Sequence, residues 1–392
     1  MRVMLLVTDL EFGGTPLRLA RLGIGLRRRS VDVVVGCLAS PGPVSAMLER
    51  HGVRTFACRA RGARDWRAVR LLMDIVRCVR PALIHATLTH ANVAARLVGA
   101  LAGVPVLTST ATIEVERRWH AWIERATARL DRGHVVNSRT LAEHAVRVFH
   151  RPRNRVYVVP ASVRGATDGL HSPAVVRDRE SCGAPTEMDR PDRDAARRRF
   201  GITEHEFAVF WVGRLDPVKR VDLLVRVAEI MNTAPTRIVL VGDGPERAAI
   251  ERLLSLSSAK GRVTLAGWHD DLADVWAAAD AFVLPSRTEG MPNALLEAMA
   301  AAVPAVASDI PSIRELQGDP PRLLLATSGD AKSFADALEF LRANPAARRE
   351  LGARAAASVW EKGSDEAVVS ATLMVYRRVL RTIRASASAG CG

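Results

Sequence analysis

Along most of its length the chain alternates short, uninterrupted apolar runs with longer stretches in which apolar residues recur every three or four positions. Residues 3–7 are the first apolar run, 17–28 has helical spacing, and 31–39 is apolar again. Runs of that length suit strands buried on both faces, and their interleaving with helices predicts βαβ units around a parallel sheet. The alternation continues with helices at 45–51, 66–79, 91–102, 117–129 and 139–148. Strands fall between them at 53–57, 82–86, 104–108, 133–137 and 155–159. It stops at 161–199, where Gly, Pro, Ser and charge replace large apolar residues, as in a linker with an extended insertion. It restarts with strands at 207–213, 236–242, 262–267, 281–284 and 304–307 and helices at 219–231, 245–256 and 271–279. Helices at 331–342, 345–361 and 364–384 close the chain, and the tail 386–392 is expected to be unstructured.

The fold class this predicts is α/β, with two doubly wound, Rossmann-like domains facing a central cleft. The expected boundaries are 1–163 for the first domain, 164–199 for the linker and insertion, and 200–363 for the second. Residues 364–392 would add a C-terminal helix packing back toward the first domain. A chain of 392 residues exceeds what one core usually supports, which agrees with two. Doubly wound sheets bind ligands at the carboxyl ends of their strands, so the chemistry is sought there.

Charge sharpens the division. The net charge of +14 lies wholly in the first half: residues 1–200 carry 34 Lys and Arg against 18 Asp and Glu, and residues 201–392 carry 22 against 24. The candidate partners of so basic a half are an anionic membrane surface, a phosphate-bearing acceptor or nucleic acid; the plainer reading is arginine on solvated faces. Five cysteines (Cys37, Cys58, Cys78, Cys182, Cys391) form no CxxC pair, which predicts reduced thiols in a cytosolic protein. No apolar run approaches the roughly 20 residues that span a bilayer. HExxH, HxE…CxxC and GxxxxGK[ST] are all missing, so zinc hydrolase, deaminase and P-loop chemistry have no sequence support.

The strongest candidate chemistry lies at 283–306. An apolar strand breaks at Pro285-Ser286, a loop carries Glu289-Gly290, and Pro292 stands where a helix can begin. Strand, glycine loop and helix start together offer free backbone N–H groups to an anion such as phosphate. Glu297 falls one turn beyond Asn293 on the same helix face. The plainer reading is a strand-to-helix turn with two solvated glutamates.

Arg214 and Lys219 follow the first strand of the second half, on the same sheet edge. A guanidinium fork and a mobile ammonium suit a diphosphate, although Arg214 could simply pair with Asp216. Gly242, Asp243 and Gly244 follow the next strand, where a structural turn competes with a binding role. Trp268, followed by His269-Asp270-Asp271, ends another strand and could line a base pocket or pack between domains. In the first half Gly13 and Gly14 separate a strand from a helix, a weak signal for close ligand approach. His85, His90 and Asn92 are candidates for the acceptor side, set against the commoner case of a histidine satisfied inside the structure.

These segments acquire specificity together. GRLDPVKRVDLL, LVGDGPERAAIE and VTLAGWHDDLADVWAAADAFVLPSRTEGMPNALLEAMAAAVPAVASD resemble the family-4 retaining glycosyltransferases of the GT-B fold, and Glu289 and Glu297 match that family's E-x7-E element. The resemblance covers nearly all of 205–320. It is fainter in the first half, through residues 13–14, 81–97 and 135–138. It implies that Arg214 and Lys219 bind the donor diphosphate, Glu289 the transferred sugar and Glu297 the ribose hydroxyls. It implies too that the donor-binding stretch is Gly290, Met291, Pro292, Asn293, Ala294 and Leu295. It also implies no metal and no other cofactor, a UDP- or GDP-sugar donor, and a saccharide or lipid-linked acceptor. Attack would come on the face the diphosphate leaves, without an enzyme nucleophile.

The chain departs from the family at Thr110-Ala111-Thr112, where many relatives carry histidine, and at Pro160-Ala161-Ser162, where Pro-Asn-Gly is usual. Both departures fall on the acceptor half. The expected setting is cytoplasmic, peripheral at the inner membrane face, in assembly of a surface polysaccharide or other glycoconjugate. Two other classes compete. A nucleotide-sugar 2-epimerase of the same fold needs acid and base carboxylates that the sequence does not place. A nucleic-acid-binding protein needs an aromatic-basic interleaving that it lacks, so no nucleic-acid partner is expected.

Overall fold

The computed structural model describes every residue except 12, 63–64, 111–117, 164–190, 233, 270 and 390–392, and omits the side chains of 118, 384 and 386–389. The departure at Thr112, most of the 164–199 insertion, Cys182, Asp270 and Cys391 therefore lie outside the described residues.

The chain begins β1 (Arg2–Val7), α1 (Gly14–Arg28), β2 (Asp32–Cys37), α2 (Pro43–Arg50), β3 (Arg54–Ala57), α3 (Trp66–Val79), β4 (Leu83–Thr87) and α4 (Thr89–Ala102). It continues with β5 (Val106–Thr110), α5 (Arg118–Thr127), a 3-10 turn (Ala128–Leu130), β6 (Gly133–Val136), α6 (Arg139–Arg147) and β7 (Val156–Val158). The seven strands pair in parallel in the order β3-β2-β1-β4-β5-β6-β7. Val3 to Val7 is buried on both sides, as its unbroken apolar sequence requires, and Leu83 to Ala86 is buried with His85 among them.

The second run is α7 (Arg193–Arg199), β8 (Phe207–Val212), α8 (Asp222–Ile230), β9 (Thr236–Val241), α9 (Arg247–Leu256), β10 (Val263–Gly267), α10 (Ala273–Ala278) and β11 (Ala281–Leu284). It ends α11 (Asn293–Ala300), β12 (Ala305–Ser308), α12 (Pro311–Gln317), β13 (Leu324–Ala326), α13 (Ala331–Ala343) and α14 (Pro345–Gly363). Its parallel sheet has the order β10-β9-β8-β11-β12-β13. Trp211, Leu240, Val283 and Phe334 lie in its core, each burial worth on the order of 2 kcal/mol.

The last helix, α15 (Asp365–Ala389), leaves this second body. The chain divides into one compact unit of Met1–Ser162 with Asp365–Gly392 and another of Val163–Ser364. Val368 packs against Val135 and Val159, and Tyr376 is fully buried in the first unit. The helix continues through Ala389, so the expected unstructured tail is helical as far as that residue. Three elements had no counterpart in the periodicity: α7, α12 and β13 are only three to seven residues long, too short to establish a period.

Candidate functional site

Each sheet reverses its strand order beside its first strand, between β1 and β4 in one unit and between β8 and β11 in the other. Loops leaving the two strands of such a junction diverge, and a crevice opens at their carboxyl ends.

In the second unit this junction brings two of the predicted residues together. The chain leaves β8 through a 3-10 turn at Pro217–Lys219, and Lys219 Nζ donates to Glu289 Oε1 in the loop after β11 at 2.7 Å. Glu289 is almost wholly buried, with Lys219 as its ion-pair partner. The same two loops are tied by backbone, Arg287 N–H donating to the Val218 carbonyl at 2.9 Å. Gly242 and Gly244 explain the turn after β9. Gly242 has φ +132°, and a Cβ there would lie 1.8 Å from the Gly213 carbonyl oxygen. A Cβ on Gly244 would meet the Leu215 carbonyl oxygen at 2.6 Å. The Asp243 carboxylate is spent locally, accepting from Gly244 N–H at 2.7 Å.

Helix α11 begins at this junction with Pro292 at its N-cap and no side-chain cap. Leu296 N–H is the first to bond back, to the Pro292 carbonyl at 3.1 Å. The N–H groups of Asn293, Ala294 and Leu295 thus point out of the helix start, where the dipole is positive. Gly290 and Pro292 are buried and Met291 half-buried around them. Glu297 is half-buried one turn further and already engaged. Sequence reasoning missed Ser286. It is fully buried just past β11, and its Oγ has no hydrogen-bond partner among the described residues; the same holds for Asn293 Oδ1 and Ser308 Oγ. A serine following an apolar strand and a proline was the only signal.

The other predicted residues of this unit lie further out. Arg214 is largely exposed and pairs with Asp216 at 3.3 Å, the plainer of its two readings. Trp268 is exposed just past β10.

In the first unit Gly13 and Gly14 stand after β1 at the order reversal, Gly13 in extended backbone as the N-cap of α1. Leu88, after β4, has φ 76°, a strained conformation for leucine, and caps α4 without a side-chain hydrogen bond. His90 follows in the first turn, half-buried and already engaged.

His85 and Asn92 differ from the expectation of an acceptor-facing pair. His85 lies within β4, buried, its Nδ1 2.7 Å from the Tyr376 hydroxyl of α15, and burial lowers its pKa to about 4. Burial likewise raises the Tyr376 phenol. Asn92 sits within α4, not at its start, and donates to Glu124 at 2.8 Å and to the Ser109 carbonyl. These partners all lie inside the first unit. Beside Asn92 is a wholly buried ionic cluster that the sequence did not announce. Arg96 meets Asp131 at 2.7 Å and Glu124 at 2.6 Å, and Arg151 meets Asp131 at 2.6 Å. His134, also buried, is held well below its usual pKa by burial and then by Arg151.

Two α/β units, each with a parallel sheet and ligand-type loops at its strand ends, are the parts of a GT-B fold. The model described as Glycosyltransferase Family 4 matches residues 12–164, and that described as Glycosyl transferases group 1 matches residues 206–344. The chain belongs to this family of group 1, family-4 glycosyltransferases. The N-acetyl-alpha-D-glucosaminyl L-malate synthase of Bacillus anthracis is 32% identical over 191 residues, 48% of this chain and 50% of that protein. The D-inositol 3-phosphate glycosyltransferase of Nocardia farcinica is 31% identical over 235 residues, 57% of this chain and 48% of that protein. The chain spans about half the length of the curated relatives it matches. Among solved structures, Anabaena Alr3699/HepE in complex with UDP superposes with a TM-score of 0.79 at 18% identity, covering 98% of this chain and 100% of that one. Sucrose-phosphate synthase from Thermosynechococcus elongatus gives 0.75 at 19% identity, covering 97% and 100%. At those identities the likeness establishes the fold.

Proposed function

We propose that the protein is a retaining, metal-independent glycosyltransferase. It would move a sugar from a UDP- or GDP-sugar to a saccharide or lipid-linked acceptor during assembly of a cell-surface glycoconjugate. The observation that carries this reading is the meeting of Lys219, Glu289 and the uncapped start of α11 at one sheet junction. As the bond from the anomeric carbon to the diphosphate breaks, negative charge collects on the leaving oxygen. Lys219 and the N–H groups of residues 293–295 would receive that charge. Arg214 would join them. Its exposed pair with Asp216 is worth at most about 1 kcal/mol, so a diphosphate displaces it readily.

With Oε1 held by Lys219, Glu289 would accept a sugar hydroxyl through its other oxygen, and Glu297 would take the ribose. Ser286 Oγ and Asn293 Oδ1, without a hydrogen-bond partner among the described residues, would add hydrogen-bonding capacity beside the same helix start. The acceptor oxygen would bond the anomeric carbon on the face the diphosphate leaves, its proton passing to the departing phosphate. UDP and UDP-glucose, bound by the Anabaena protein of the same fold, favour uridine as the base. The basic first unit would hold the acceptor. The setting would be cytoplasmic and peripheral at the membrane; among the described residues no helix is long and apolar enough to cross it.

A screen of nucleotide sugars in EDTA tests this. One donor should be consumed, slowly to water in the absence of acceptor, and roughly 10²-fold more slowly by Lys219→Ala. Donor consumption that depends on added magnesium would contradict the mechanism, and no consumption of any donor would contradict the function.

A further inference from the structure

One helix of the first unit is amphipathic in the wrong sense. A surface helix ordinarily turns its apolar stripe to the core and its charges to water. In α5 the two fully buried positions are His120 and Glu124, and half-buried Thr127 bonds Arg96 at 2.8 Å. The outward positions include Trp119, 51% exposed, and Trp122, 70% exposed. The ionic cluster under the helix enforces this, because turning the tryptophans inward would expel Glu124 from Arg96.

The neighbouring helices continue the surface. α3, α4 and α5 pack side by side on one face of the sheet. Outward on them stand Trp66 (65% exposed) and Leu71 of α3, and Leu97 and Leu101 of α4. On the opposite face, α1, α2 and α15 together show one large apolar side chain of that kind, Met374. Arginines are interspersed on the apolar layer: Arg67 and Arg70 on α3, Arg125 on α5 and Arg129 just after it are all exposed. The one exposed acid on these three helices is Asp74.

We propose that the outer surface of α3, α4 and α5 docks on an anionic lipid bilayer, with Trp66, Trp119 and Trp122 seated at the headgroup level. Tryptophan prefers that depth, leucine enters just below it, and arginine pairs with lipid phosphate. A second protein surface would not need the near-exclusive positive charge, whereas an anionic membrane does. The inference rests on the transferase reading for its purpose, since a lipid-linked acceptor is met at such a surface, but not for its physics.

Vesicle co-sedimentation of the full chain tests it, with phosphatidylcholine alone against phosphatidylcholine containing phosphatidylglycerol. Binding should rise with the phosphatidylglycerol share and fall with salt. The Trp119→Ala, Trp122→Ala double variant and the Arg125→Gln, Arg129→Gln double variant should each weaken it, the latter by roughly tenfold or more. Brominated lipid should quench the intrinsic fluorescence of the wild type and quench the tryptophan variant less. UDP and GDP titrations run alongside separate the two claims, because these variants leave the nucleotide site untouched. Nucleotide binding without vesicle binding would overturn the docking surface alone; vesicle binding without nucleotide binding would overturn the transferase reading alone. Vesicle binding unchanged in both variants, or a concentration-dependent dimer abolished by the tryptophan changes, would also overturn the docking surface.

Discussion

Lys219 and Glu289 lie 70 positions apart in the chain and 2.7 Å apart in space. The sequence could propose each of them separately, because each follows a recognisable strand, but their contact comes from β8 and β11 being neighbours. His85 shows the opposite outcome. It too follows a legible pattern, yet its partner Tyr376 is 291 positions away, and no local signal tells a buried histidine from a ligand-facing one. That burial has a pH consequence. The folded pKa is about 4 against about 6.5 unfolded, so the unfolded chain takes up the proton first. Stability should be level above pH 6.5 and fall as the pH drops toward 4, by on the order of 3 kcal/mol from this group. His134 acts in the same direction. Urea melts at pH 7 and pH 4.5 check this, and His85→Gln should flatten the acid slope. An equal slope in that variant would remove His85 as its source.

At the level of elements, the second unit was the more legible because glycine and proline mark its strand ends. The GDGP turn is the clearest case. Backbone of the β8 loop occupies the place of any side chain at Gly242, so the sequence can only be glycine there. Gly242→Ala should cost about 2 kcal/mol or more, read as a lowered midpoint in thermal or urea unfolding. A variant as stable as the wild type would mean that the two loops can part freely. In the first unit the helices were read but their faces were not. α5 carries Glu124 inward, and that inversion follows from partners on α4 and beyond β5 that no periodicity reveals. Arg96→Met should cost about 3 kcal/mol or more by leaving Glu124 and Asp131 with one arginine between them, measurable by the same melts. A smaller loss would show that Arg151 alone satisfies both carboxylates.

For the whole molecule, the alternation of apolar runs was enough to predict two parallel sheets, and the topology agrees: β3-β2-β1-β4-β5-β6-β7 and β10-β9-β8-β11-β12-β13. It was not enough to say which helices would show tryptophan to solvent. Part of the positive charge of the first half lies on α3 and α5, beside the apolar layer. A nucleotide-sugar enzyme built this way would separate its tasks, with donor chemistry on one sheet edge of the second unit and membrane and acceptor contacts on the first. The central claim is that the β8–β11 junction binds a nucleotide diphosphate through Lys219, Glu297 and the start of α11. Isothermal titration calorimetry with UDP and GDP in EDTA tests it most directly. One of the two should bind the wild type, and Lys219→Ala and Glu297→Ala should each weaken that binding by tenfold or more. Binding of neither nucleotide, or equal affinity in all three proteins, would contradict the claim.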